Sequence, residues 1–334
     1  MYRCWISQPS PNKKPGNKPN PPRYVGRGKS STLSGSLIEL YATSQQRVSW
    51  GHVTALVLSE SMLQHDRLSQ VFDMTNRSQE IRYTKWIYGT KISMKDLFTV
   101  SPFFQLSPLH SLLHEPEENY EQFSFIPPIQ FVNFIRQYRD KAATVTLPTL
   151  HITNQTWTEN LKQHPLLEVN GGFLLKNQEV NGWLSRNDLL GARWLATSKS
   201  HAALIVKEND EAIGSISLQR PQHAIEILRD KGEIGYRIKL NVTGTVQNMY
   251  KKVSVAEMRE MTEKTLRDEL MNTFHKGVKL NADPFQLSVQ LHRKDPSKWK
   301  ELAEQKLDIT DESLREVDVN VDLRFWGQRK NLNR

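Results

Sequence analysis

Residues 202–243 read AALIVKENDEAIGSISLQRPQHAIEILRDKGEIGYRIKLNVT, and this stretch decides the fold class. Four apolar runs, Ala202–Lys207, Ala212–Leu218, Ala224–Leu228 and Glu233–Thr243, are separated by clusters of polar and turn residues. Short β-rich runs at this spacing predict an antiparallel meander, not the alternating strands and helices of a parallel sheet. Downstream, Ser254 and Glu257 form a capping-box signature for a helix over about 255–274. Val255, Met258, Leu266, Leu270 and Phe274 fall on one broad side of it, and burying them contributes about 1.5–3 kcal/mol each. Arg259 and Glu263 intrude at the edge of that stripe, and Gly277 reads as the end of the helix. Gln286–His292 reads as a strand, Trp299 sits in a short helix, and VDVNVDLRF at 317–325 alternates as a half-buried terminal strand.

Working toward the N-terminus, Leu167–Lys176 is a strand. Ser185 and Asp188 cap a helix over Arg186–Leu195, with Trp183, Leu184, Trp194 and Leu195 expected to pack together as a seam. A boundary falls near residues 153–166. Before it, Thr144–Ile152 is a strand whose Pro148 implies an edge position or a bulge. Pro127 and Pro128 open a helix carrying Phe134 and Tyr138, whereas the prolines between 102 and 121 keep that segment irregular. Val48–Leu58 and Ile81–Tyr88 read as strands around a helix over Met62–Thr75, with Leu63, Leu68, Val71 and Phe72 inward. Residues 7–30 hold six prolines and two lone apolar residues, which predicts a flexible arm or a long loop. The chain therefore divides into a basic, Pro-rich arm (1–30), a first domain (31–153) and a second domain (168–330). The fold class is α+β, with mixed or antiparallel sheets flanked by helices.

The chain has 334 residues and a net charge of +9. Arg3, Lys13, Lys14, Lys18, Arg23, Arg27 and Lys29 all lie in the arm, which has no acidic residue; the rest holds 38 basic against 36 acidic side chains. The body is thus nearly neutral, and the bulk charge does not mark it as nucleic-acid-binding. Cys4 is the lone cysteine, which excludes an intrachain disulfide and a cysteine-based zinc site. No apolar run is long enough to span a bilayer, and Met1 is followed by no apolar signal-peptide segment.

Motifs that could carry chemistry are few. Gly28-Lys29-Ser30 ends like a phosphate-binding loop, but Arg23 stands where its first glycine belongs. His110 and His114 have metal-ligand spacing without the glutamate or the helix to hold it. Arg77, Glu80 and Arg82 form a charged cluster with no evident nucleophile, and read as a salt-bridged helix exit. His52, after Gly51 in an apolar run, reads as a core histidine or a general base. No cofactor, metal site or catalytic set is expected. A non-enzymatic assembly protein leads, with two alternatives: nucleic-acid binding through the arm, or a hydrolase with a cryptic site near His52.

The residues also resemble a known family, the Ger(x)C proteins, C subunits of GerA-type germinant receptors of endospore-forming bacteria. In the first half the resemblance rests on Gly28 with Ser30, Arg47, Gly51-His52, Glu60, Asp73, Arg77, Glu80-Ile81-Arg82 and Leu147-Pro148-Thr149-Leu150. In the second half it rests on Gly172-Phe173, Lys176, Gly182-Trp183-Leu184, Gly191, Trp194-Leu195, Asp283, Phe285, Arg293, Pro296 and Trp299. The family positions singled out are Gly51, His52, Arg77, Glu80, Arg82, Gly182 and Trp183. The resemblance implies a non-catalytic, lipid-anchored receptor subunit at the inner spore membrane, working with A and B subunits. Family members usually begin with a lipoprotein signal peptide, a lipobox cysteine and about two strands. Met1–Ser7 is expected to be the tail end of that region, and Pro284 and Gln286 to disturb a strand.

Overall fold

The computed structural model describes residues 2–8, 24–45, 47–77, 80, 82–102, 111–196, 201–230, 233–305, 307 and 309–325. His110 and Ile81 lie outside the described residues, as does most of the Pro-rich stretch. The residues on either side of it form an antiparallel pair, β1 (Tyr2–Gln8) and β2 (Tyr24–Ser30), so of the two alternatives, arm or long loop, residues 24–30 do not belong to a free arm. Gly28 of β2 packs directly on the backbone of Ser36 in helix α1 (Leu33–Thr43).

A mixed five-stranded sheet follows. β3 (Ala55–Ser59), β4 (Trp86–Thr90) and β5 (Thr144–Thr153) run parallel, and β8 (Leu166–Lys176) and β9 (Glu179–Ser185) close it antiparallel in the order β3-β4-β5-β8-β9. A small hairpin, β6 (Thr158–Glu159) with β7 (Lys162–Gln163), joins β5 to β8. β3 and β4 are shorter than the expected strands because Gly51-His52 and Tyr83-Thr84 are spent on turns. Helix α2 (His65–Arg77) buries Leu68, Val71 and Phe72 as anticipated. It packs on α5 (Phe131–Arg139), where Phe72 lies 5.4–6.2 Å from the rings of Phe131, Phe134 and Tyr138. Short helices α3 (Met94–Thr99) and α4 (Pro116–Gln122) complete this half.

Of the two alternatives for Pro148, an edge or a bulge, the structure has the bulge, beside it at Thr149/Leu150, in a central strand. β4 reaches β5 only at Thr149 and Leu150, so the proline lies just before that ladder. The sheet does not stop at the boundary expected near 153–166. β8 folds back on β5 as an antiparallel partner, carrying β9 with it, so the first sheet extends to Ser185.

A 3-10 turn (Asn187–Leu189) and a short helix, α6 (Ala192–Ala196), replace the single helix expected over 186–195. The Ser185–Asp188 cap is real, since each backbone N–H donates to the other's side chain. The second sheet has the order β10-β11-β12-β13, from β10 (His201–Glu208), β11 (Glu211–Asp230), β12 (Glu233–Met249) and β13 (Leu314–Phe325). It is antiparallel except for the parallel pair β12–β13. The two runs at 212–218 and 224–228 are one strand, kinked where the register shifts between Gln219 and Gln222. Pro221 and the left-handed Arg220 (φ 55°) sit in that kink, where a missing N–H breaks no ladder bond.

Helix α7 (Val255–Lys279) covers this sheet, its capping box in place and Met258, Leu266, Leu270 and Phe274 buried. Gly277 lies inside the helix, not at its end. A Cβ there would stand 2.4 Å from Pro284, so glycine lets the returning chain lie flat on α7. Of the two residues expected to intrude on the apolar stripe, Arg259 is exposed, and Glu263 acts together with Arg267 one turn on. Glu263 accepts the N–H of Val321 (3.0 Å) and Arg267 donates to the carbonyl of Val317 (3.1 Å), so α7 caps the outer edge of β13. Gln286–His292 is not a strand: helix α8 (Leu287–Lys294) stands there, followed by α9 (Pro296–Glu304). Leu287, Val289 and Leu291 are all buried at the i, i+2, i+4 spacing of a strand, and the helix accommodates them only because Ser288 is buried too and more than one of its sides faces the core. Asp283 decides for helix, because its carboxylate takes the N–H groups of Phe285 (3.2 Å) and Ser288 (2.8 Å).

Candidate functional site

The first group of singled-out residues gathers around the exit of α2. Arg77 is its last residue. Glu80 reaches back to the turn before β3, where its carboxylate accepts the backbone N–H of Trp50 (2.7 Å) and the hydroxyl of Ser49 (3.4 Å). Gly51 and His52 are exposed on that same turn, so His52 is neither in a strand nor in the core. The indole N–H of Trp50 donates to the Tyr41 hydroxyl, tying the turn to α1. Lys85, 3% exposed, donates its ammonium to the carbonyl of Val53 (2.8 Å). Burial, and then the positive charge of Arg82, lower the Lys85 pKa. Arg82 itself is exposed. The arrangement pins a loop: the Glu80 carboxylate is engaged by one backbone N–H and one hydroxyl of the turn that carries His52.

The second group is on β9. A Cβ on Gly182 would meet the side chain of Leu280 at 2.8 Å, so glycine lets β9 lie against the end of α7. Trp183 donates its indole N–H to Thr149 (3.0 Å), which donates in turn to Asn170 (2.9 Å), and the Lys91 ammonium sits 4.1 Å from the Trp183 ring. The expected tryptophan seam does not form. Successive residues of a strand face opposite ways, so Trp183 packs toward the α2–α5 core while Leu184 joins Phe125, Ile126 and Leu189. Trp194, fully buried, belongs to the core under the second sheet. Its indole N–H donates to Glu269 (2.7 Å), whose carboxylate also takes two hydrogen bonds from Arg193 (2.9 and 3.0 Å).

Sequence reasoning missed a cleft of about 140 Å³ on the other face of the first sheet. Tyr88, Pro148 and Val169 contribute to its lining from the sheet, and Tyr120, Phe123 and Phe125 from the α4 segment. Arg186 closes it: one guanidinium nitrogen donates to Glu168 and to the carbonyl of Val169 (both 2.8 Å), and the group lies 5.7–5.8 Å from the rings of Phe123 and Phe125. The aromatic residues ahead of Pro127-Pro128 were the available signal, hidden because the segment has no period.

The two halves are joined by side chains from both. Thr144 at the start of β5 accepts the N–H of Asp283 (2.9 Å), and its own N–H donates to the Gln286 side chain (3.2 Å). Ser124 and His201, at the start of β10, exchange two hydrogen bonds (2.9 and 3.1 Å). Among the described residues there is no cluster of histidine, cysteine or carboxylate side chains able to hold a metal, and no helix long and apolar enough to cross a membrane.

Comparison with known proteins matches this architecture. Residues 5–152 match the family profile described as spore germination protein, N-terminal domain, and residues 170–326 match spore germination B3/GerAC-like, C-terminal. No curated protein matches the sequence. Among solved structures, the crystal structure of the GerBC protein matches over 97% of both chains at 14% identity, with a TM-score of 0.55, so the two share a fold. With both family segments present, in order, over nearly the whole chain, this protein belongs to the Ger(x)C family of spore germination proteins.

Proposed function

We propose that this chain is the C subunit of a nutrient germinant receptor, acting in assembly and signalling with the A and B subunits and without a catalytic step. The observation that carries the reading is the pair of family segments, 5–152 and 170–326, in one chain. The geometry of the singled-out residues agrees with it. Glu80, Lys85, Trp183 and Asp283 spend their polar groups on holding loops, strands and helix starts in place. A body of this kind presents a fixed surface to partners. In this reading residues 1–30, 31–153 and 168–330 are the working divisions of the subunit. Attachment to the inner spore membrane is through a lipid anchor, and two acyl chains suffice for stable attachment.

The test is co-purification from detergent-solubilised spores through an affinity tag on this chain. Recovery of the receptor A and B subunits in fixed ratio, together with loss of nutrient-triggered germination on deletion, is expected. Recovery without either subunit, or unchanged germination in a strain with no paralogue, overturns the reading.

A further inference from the structure

The second sheet treats its two edges differently. The outer edge of β13 is occupied by Glu263 and Arg267 of α7. β10 is the other edge strand. Its first residue, His201, turns its N–H and C=O away from β11 to meet Ser124. Backbone groups alternate along a strand, so Ala203 and Ile205 point theirs the same way. Their pairs across the sheet, Ser217 and Ser215, are the non-hydrogen-bonded kind. Among the described residues, nothing caps those outward groups. The edge is also apolar at its centre, where Ile205 is 57% exposed.

We propose that the β10 edge at Ala203–Ile205 is a strand-addition site for an extended, lysine- or arginine-flanked segment of a partner protein. Unpaired strand edges recruit other strands, and recognition of this kind is made mainly by main-chain hydrogen bonds. The sign of the flanking charge follows from the surroundings. At the His201 end, α4 carries Glu117, Glu118 and Glu121, all exposed, with no basic side chain on the helix. At the other end, the hairpin tip exposes Glu208 and Asp210, while Lys251 is paired with Glu211, and Lys207 and Lys252 are exposed cations of the same stretch. Ser124 holds the end of the edge beside Phe123, which is 44% exposed at the mouth of the aromatic cleft. An added strand therefore ends next to an apolar anchor point. A second copy of this chain suits the edge poorly, because antiparallel pairing of two β10 strands carries each acidic tip toward the other's α4 glutamates. The inference concerns a partner surface and stands whether or not the receptor reading holds.

The experiment uses the full chain and three peptides: alternating valine and threonine flanked by two lysines at each end, the same core flanked by glutamates, and residues 9–23 of this protein. Binding is measured calorimetrically, with hydrogen exchange of the 201–208 segment as the local readout. The lysine-flanked peptide is expected to bind and to slow exchange at Ala203 and Ile205. In Ile205→Pro the lost N–H is the outward one, so the sheet keeps its ladder, and affinity falls about tenfold or more, the loss of a central main-chain bond plus a steric block. Glu117→Gln, Glu118→Gln and Glu121→Gln together are expected to weaken binding and flatten its salt dependence. No protection in the unmodified protein overturns the proposal even if Ile205→Pro does not fold. Equal binding of the glutamate-flanked peptide overturns the charge assignment. Tighter binding of residues 9–23, whose six prolines cannot donate, assigns the surface to polyproline recognition instead. Self-association abolished by Ile205→Pro assigns the edge to a second copy.

Discussion

Glu269→Ala is the perturbation that tests how the second sheet and α6 are held together. Glu269 is 12% exposed and its Arg193 partner 4% exposed, so both charges have left water. Desolvating such a pair is costly, and the pair persists because its geometry is good: two hydrogen bonds from Arg193 and a third from the Trp194 indole. Removing the carboxylate leaves a buried guanidinium without its counter-charge and an indole N–H without its acceptor. Breaking one side of a buried pair costs about 3–5 kcal/mol. With a urea slope of about 3 kcal/mol/M, the unfolding midpoint drops by about 1 M or more. Replacing both partners, Arg193→Met with Glu269→Leu, removes both desolvation costs and is expected to recover most of the loss. The assay is urea unfolding followed by far-ultraviolet circular dichroism on the unmodified protein, both single variants and the double. A shift under about 0.3 M for Glu269→Ala, or a double variant less stable than either single, would falsify the account of this network.

Three further outcomes are expected. Gly277→Ala usually helps a helix, but here the added methyl meets Pro284 at 2.4 Å, so a loss of about 1–3 kcal/mol is expected in the same denaturation assay. Burial, reinforced by Glu179, pushes the Tyr138 hydroxyl up to about 12 from its ordinary 10, so folding keeps it protonated. Its contribution is therefore full below pH 10 and is lost as pH rises toward 12; a melting-temperature profile should fall more shallowly over that window in Tyr138→Phe. Glu263→Ala exposes the Val321 N–H at the β13 edge, so concentration-dependent association should appear in sedimentation, and its absence would count against the edge-capping role of α7.

Much of the architecture was legible because burial imposes period. Leu68, Val71 and Phe72 marked one face of α2, Ser254 and Glu257 marked the start of α7, and the alternation at 317–325 marked β13. The ordered motifs were enough for the family. Period misled at Leu287–Leu291, where apolar residues alternate as in a strand but the segment is a helix buried on more than one side, and the buried Asp283 carboxylate settles the matter from outside the run. Nor did it show that β8 and β9 pair back onto β5, because strand pairing is a long-range property with no local signature. The positions of Gly51, His52, Glu80 and Trp183 were readable as motif residues. What they do was not: the Glu80 carboxylate is turned onto a backbone amide and the Trp183 indole onto Thr149, and both depend on segments about 30 residues away in sequence. Composition, charge and periodicity thus determined the fold class and the absence of a recognisable catalytic motif. Tertiary structure alone decided which edge of the second sheet α7 closes and which it leaves open, because a free backbone donor exists only once the neighbouring strand has been placed.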